Sequence, residues 1–471
     1  MPPELCWLSA MEIVQAVRAR QISPLELVDA LLAQIDRVNP RVNAVVTRCD
    51  DLARRQARAV EQAILRGENP GPLAGVPLTV KDLHLTAGIR TTLGSKLYED
   101  FVPDWDQPIV ARLKRAGAII LGKTNTSEFG LIPLATNSIF GDSINPWKTG
   151  HNTGGSSGGA AAAVVCGMGP LATASDGGGS IRVPAAFCGA FGMKPQFGRI
   201  GHVAFPRGWE TLAHQGIITR GVRDSALALD VLAGPHPADR QSLPPPSASF
   251  LAACGAPVQG LRLAWCARLG NLPVEPDVAE IGQKAARKFE QLGCHVDEVE
   301  MDLPDLGPLH QRIVLCEAAT ANQPRREQWQ RVLFPANRKI FEQAESLTFR
   351  DLIRAHWTRD EYSERIAPVF EKYDALLTPV AAITAPLNGT LGPKQLGGQP
   401  QRSLFWLGHC VPFNMTGQPA ASLPIGFSAS GLPVGLQLVG RRHDEATLFR
   451  LAAAFEEAFP WQAQRPPVCA A

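Results

Sequence analysis

The sequence predicts an α/β fold. Short apolar runs of strand length alternate with amphipathic helical patterns along most of the chain. Two glycine-rich loops carrying serine, 151–159 and 175–180, lie on either side of a run of small apolar residues. The 471 residues, 45% hydrophobic and 19% charged, are enough for a substantial core. With no internal repeat or low-complexity tail, one interwoven domain over 1–471 is expected, comprising a helical lead-in (1–70), a core (71–235) and a remainder of the same domain (248–471).

The first helices are marked by their caps. Ser9 with Glu12, and Ser23-Pro24 with Glu26, match the capping box, the second with proline at the first helical position. Leu25, Val28, Leu31, Leu32, Ile35 and Val38 follow at helical spacing, and Asn39-Pro40 is expected to end the run. Residues 42–46 read as a strand and 51–65 as a helix with a charged outer face.

Residues 73–80 read as a buried strand that places Lys81 and Asp82 at its carboxyl end, where open α/β sheets carry their sites. A helix over 109–115, a strand over 118–122 and a polar loop over 123–130 follow. The small residues of 160–165 suit a buried helix behind the first glycine loop, and 184–192 suit a packed helical turn. Residues 200–216 form a loop with aromatic side chains. Beyond the proline-rich 234–246, strands are expected at 261–265, 295–300, 375–380, 420–425 and 434–439. Helices are expected at 277–292, through most of 303–372, and at 444–458, with Trp329, Phe334 and Trp357 available to a pocket wall.

Composition excludes several functions. A net charge of +2 gives no case for nucleic acid or an anionic membrane surface. No run of 18 apolar residues could span a bilayer, and residues 1–10 show no secretory pattern. The ten cysteines form no Cys-x-x-Cys and no Cys/His cluster at metal spacing. A cytoplasmic protein without metal or organic cofactor is expected, as monomer or homodimer.

The stretch 151–184 carries the chemistry. Glycine lets the backbone approach a bound atom closely, so main-chain N–H groups can converge on it. Ser156 and Ser180 stand on separate turns that one short helix could bring together. Gly154-Gly-Ser-Ser-Gly158 satisfies the nucleophile-elbow pattern, whereas no phosphate-loop pattern occurs.

Longer blocks decide among these options. Gly75-Val-Pro-Leu-Thr-Val-Lys-Asp82, Gly154-Gly-Ser-Ser-Gly-Gly159 and Asp176-Gly-Gly-Gly-Ser-Ile-Arg182 resemble the signature blocks of the amidase signature family. Leu121-Gly-Lys-Thr-Asn-Thr-Ser-Glu-Phe129, Gly192-Met-Lys-Pro195 and Pro412-Phe-Asn-Met-Thr-Gly-Gln-Pro-Ala420 agree in the same order. The similarity runs from about residue 9 to residue 459. It implies a single domain with a mixed central sheet covered by helices on both faces, and 71–235 as the signature core.

The resemblance also implies a serine amidohydrolase. Ser180 corresponds to the nucleophile, Ser156 to a proton-relaying serine after a cis peptide bond, and Lys81 to the general base. Gly177, Gly178 and Gly179 would supply the oxyanion hole. Ser157 and Ser175 would complete the hydroxyl network; many family members carry threonine at the second position. Asp176 and Arg182 have the signs of a supporting ion pair, read here as a structural clamp. Lys81 must be neutral to accept a proton; bringing a lysine from about 10.4 to near neutrality takes roughly 4 kcal/mol, which burial can supply.

Phe129, Gly130, Leu131 and Ile132, with Phe205, Arg207 and Trp209, adjoin the signature blocks and are expected to line the substrate pocket. Their apolar character points to an uncharged aromatic or alkyl substrate, although Arg207 could bind a carboxylate. The family cleaves small amides, peptide amides, acylanilides, fatty acid amides and some carbamates (urethanes). It also includes the glutaminase subunit of a tRNA-dependent amidotransferase, which would bring glutamine and a partner protein. Two further alternatives are an esterase pairing Ser156 with a histidine such as His443, and a catalytically silent binding protein.

Overall fold

A computed structural model of the protein describes residues 3–270 and 272–470. Its centre is a mixed sheet of eleven strands. In chain order the strands are β1 (Val45–Arg48), β2 (Pro77–Lys81), β3 (Ile119–Thr124), β4 (Leu171–Asp176), β5 (Phe191–Lys194), β6 (His214–Thr219), β7 (Arg262–Trp265), β8 (His295–Glu298) and β9 (Ala375–Pro379). A small hairpin of β10 (Gln395–Leu396) and β11 (Gln399–Pro400) stands apart before β12 (Ala420–Phe427) and β13 (Pro433–Gly440). The sheet order is β1-β3-β2-β4-β6-β5-β12-β13-β9-β7-β8. Pairing is parallel where β2 meets β3 and β4, and where β7 meets β8 and β9; elsewhere it is antiparallel.

Both faces of the sheet are buried, which follows from alternation along its strands. On β9, Ala375 and Leu377 enter one core while Leu376 enters another; on β13, Leu436 and Leu438 face the first and Val439 the second. The first core is closed by helices such as Pro24–Val42, Gly158–Val165 and Glu445–Ala458. The second lies beneath Gly307–Asn322, Pro335–Ala344 and Phe349–Lys372. This is the single α/β domain the signature blocks implied.

Several boundaries move, each for a local reason. Ser9 and Glu12 form the full capping box, whereas Ser23 caps its helix by accepting from Leu25 and Glu26 while its own hydroxyl donates to Glu61. That helix continues through Pro40 to Val42 and ends at Asn43, whose left-handed φ of 48° turns the chain. The Asn39 side chain then accepts from the N–H groups of Ala44 and Val45, which delays β1 to Val45. The polar loop expected at 123–130 starts late because Lys123 and Thr124 belong to β3. The turn expected over 184–192 is the helix Arg182–Cys188 followed by β5, the two joined at Gly189 with φ 71°. Trp357 lies on the outer face of Phe349–Lys372, 64% exposed, and lines no cleft at the site. Phe334 is half-buried and is likewise absent from those walls, while the Trp329 side chain lies outside the described residues. Among the described residues, no helix is long and apolar enough to cross a membrane.

Candidate active site

Parallel pairing of β2 with β4 brings Lys81 and Ser175-Asp176 to the same edge of the sheet. There the Lys81 N–H leaves the ladder and donates to the Thr173 hydroxyl at 2.9 Å. The loop before the helix Gly158–Val165 crosses the same edge, with Ser157 at the N-cap and a cis bond between Gly155 and Ser156. Its glycines are small for steric reasons. A Cβ on Gly155 would lie 2.4 Å from the Leu134 backbone, and one on Gly159 2.5 Å from the Asn125 nitrogen.

Lys81 is fully buried and surrounded by hydroxyls. Nζ is 2.7 Å from Ser156 Oγ, 2.7 Å from Ser157 Oγ and 3.0 Å from Ser175 Oγ. Burial disfavours its charged form and lowers its pKa to about 7, against the opposing pull of Asp176. Ser157 Oγ also approaches the Ser175 carbonyl at 3.3 Å. Ser180 is half-buried and lines a cleft together with Ser156 and Ser175.

Asp176 and Arg182 form an ion pair with both side chains fully buried, at 2.9 and 3.0 Å. Burial alone would raise the Asp176 pKa, but Arg182 holds the carboxyl well below the usual carboxylate range. The carboxylate also accepts from the N–H groups of Gly179 at 2.6 Å and Ile181 at 3.0 Å and from Asn414 Nδ2 at 2.9 Å. Asp176 thus sets the conformation of the loop that carries Ser180.

One of the three glycines expected to supply an oxyanion hole already has a partner in the fold. The Gly179 N–H donates to Asp176, and Gly179 borders neither cleft at Ser180. Its glycine answers a φ of 126°. Gly177 borders one cleft and Gly178 the other, and Ser180 borders both.

The first cleft, about 730 Å³, is walled by Leu83, Leu93, Phe129, Phe205 and Trp209, with His84 and Gln215 among its polar groups. Phe205 stacks on Phe101 at 5.6 Å and meets Tyr98 edge-on at 6.0 Å, so the wall is a packed aromatic cluster. The second cleft, about 810 Å³, is lined by Leu131, Ile132, Val314, Ile340, Leu407 and Val411, among others. All seven residues expected in the pocket line one or both clefts, with Gly130 and Trp209 bordering both. The Arg207 side chain is 81% exposed and only 3.9 Å from Glu210, which puts its charge at the rim.

Sequence reasoning missed His310, Arg402 and the apolar wall of the second cleft. His310 Nε2 lies 2.6 Å from the Gly177 carbonyl across 133 residues of chain, and no local pattern signals such a contact. Arg402 is paired with Asp305 at 2.5 Å. The Ser–His alternative finds no support: Ser156 is bonded to Lys81, while His443 sits against Gln196. No cluster of three or more metal-ligating side chains occurs among the described residues.

Comparison with known proteins places this geometry in a class. The Amidase family pattern matches residues 26–449. The chain belongs to the amidase signature family. It is 38% identical to an acylamidase of Rhodococcus erythropolis over 98% of each chain. It is equally 38% identical to a component of the glutamyl-tRNA(Gln) amidotransferase of Moorella thermoacetica, over 98% of this chain and 99% of that one. In structure it resembles a bacterial aryl acylamidase of the family, with a TM-score of 0.92, 32% identity and 98% coverage of both chains. The protein is thus an amidase-family hydrolase acting on amides.

Proposed function

We propose that the protein hydrolyses uncharged acyl amides, acylanilides and aryl carbamates among them, through an acyl-enzyme on Ser180. The observation that carries this reading is the buried Lys81 amine among three hydroxyls, with its pKa lowered to about 7 by burial, beside a cleft that also holds Ser180. A neutral amine has two N–H donors and one lone pair. The Ser157 proton points to the Ser175 carbonyl, so toward Lys81 this hydroxyl is an acceptor. Ser156 is then free to give its proton to the lone pair.

In the forward step Ser180 Oγ bonds to the substrate carbonyl carbon. Its proton passes to Ser156 Oγ as the Ser156 proton passes to Lys81. The carbonyl oxygen gains the electron pair and accepts from the N–H groups of Gly177, Gly178 and Ser180. On collapse the C–N bond breaks, Ser156 protonates the leaving nitrogen, and Lys81 returns the proton to Ser156. Water then repeats the sequence on the acyl-Ser180 ester, releasing the acid and restoring the Ser180 hydroxyl.

The two clefts support an uncharged substrate. Their walls are mainly apolar and aromatic, Arg207 is at the rim, Arg402 is paired, and the buried Asp176 is engaged by Arg182. The similarity to an amidotransferase component favours a second reading, a glutaminase that works with a partner protein. Free glutamine, however, presents an ammonium and a carboxylate, and no buried carboxylate or guanidinium without a partner lines either cleft among the described residues. Hydrolysis of an anilide and its matched carbamate, without hydrolysis of glutamine or malonamate, is expected. Preference for glutamine or malonamate would sink the apolar-substrate reading.

A further inference from the structure

We propose that His310 is a positioning residue for the oxyanion-binding loop, holding and polarising the peptide that joins Gly177 to Gly178. The inference rests on the assignment of Ser180 as nucleophile. A carbonyl oxygen only accepts, so the 2.6 Å contact requires the proton on Nε2, donated to the Gly177 oxygen. That oxygen and the Gly178 N–H belong to one peptide unit. Withdrawing electron density at the oxygen strengthens the N–H as a donor, by about 10–30% per bond in a hydrogen-bonded chain. Gly178, His310 and Ser180 border the same apolar cleft.

The choice of glycine at 178 supports the contact independently. Its φ is outside the left-handed region, so no backbone demand excludes a side chain. A Cβ on Gly178 would lie 2.9 Å from both Cε1 and Nε2 of His310, so a side chain there would displace the imidazole. Gly177 is covered in the same way by Trp209, whose ring would be 2.4 Å from an added Cβ. Two side chains distant in sequence thus lie against the two cleft-lining glycines. Burial lowers the His310 pKa, so the ring acts as a neutral donor, with Asp176 and Arg182 the nearby charges.

The test compares wild type, His310→Leu, His310→Gln, His310→Asn and Ser180→Ala on an acylanilide. A boronic acid that forms a tetrahedral adduct on a serine serves as the transition-state probe. Losing a direct oxyanion donor costs about 100- to 1,000-fold in kcat, so losing about 10–30% of its strength should cost about 2- to 8-fold. His310→Leu should show that drop in kcat with KM nearly unchanged, and an equal loss of boronate affinity. His310→Gln reaches the carbonyl with its amide N–H and should recover most of both; His310→Asn, one carbon shorter, should not. A loss carried by KM, or boronate affinity unchanged in His310→Leu, would overturn the proposal. If His310→Leu fails to fold by thermal denaturation, equal kcat in the Gln and Asn variants would overturn it. Undiminished turnover by Ser180→Ala would instead refute the nucleophile on which it rests.

Discussion

Varying pH across neutrality separates a working Lys81 base from a buried structural cation. A lysine at its ordinary value of 10.5 would be neutral in about one molecule in a thousand at pH 7.5. With the pKa lowered to about 7 by burial, about three molecules in four carry the free amine. Below pH 7 that fraction falls about tenfold per unit, to about a tenth at pH 6 and a hundredth at pH 5. The assay is kcat/KM from pH 5 to 9 for an uncharged anilide, which reports groups of the free enzyme. It should rise through a midpoint near 7 and level above it. Glu317 is a rival that needs a control, because burial pushes its carboxyl up to about 7 as it accepts from Thr211 on the aromatic loop. Glu317→Gln should keep the limb, and Lys81→Ala should lose activity at every pH. A profile flat below 7, or a limb that disappears in Glu317→Gln, would refute the assignment of Lys81.

Other consequences concern stability and the pocket. Asp176→Asn leaves Arg182 buried without its counter-charge and should cost about 3–5 kcal/mol in urea unfolding; a loss below about 1 kcal/mol would contradict the clamp. Because the Lys81 pKa is depressed in the folded state, the unfolded chain holds the extra proton between about 7 and 10.5, and Lys81 burial opposes folding most at low pH. Lys81→Met should therefore raise the unfolding midpoint more at pH 6 than at pH 10, and the reverse order would count against a depressed pKa. Trp209→Ala removes a ring that borders both clefts and covers Gly177, and should raise KM for an anilide severalfold. An unchanged KM would remove Trp209 from the substrate's path.

Much of the site was legible because its pattern is local. Lys81 ends an apolar strand, Ser156 and Ser180 stand in glycine loops, and these blocks keep fixed spacing. The alternation along β9 and β13 likewise marks a sheet covered on both sides. Spacing could not show that the Asp176 carboxylate folds back onto the Gly179 N–H, since a side-chain rotamer decides that. Nor could it show that Trp209 and His310 lie against Gly177 and Gly178. The helix past Pro40 ends where Asn43 adopts a left-handed turn, a tertiary choice against the usual proline rule. Trp357 has the residue type of a pocket wall, but its position on the helix turns it outward.

The central claim is that Ser180 forms a covalent acyl intermediate. Acid quenching during turnover of an activated acyl substrate, followed by digestion and fragment-ion mass spectrometry, tests it directly. Ser156 and Ser180 are close enough in sequence that fragment ions must assign the modified side chain. The acyl group is expected on Ser180. An acyl group on Ser156, or sustained turnover by Ser180→Ala, would contradict the mechanism.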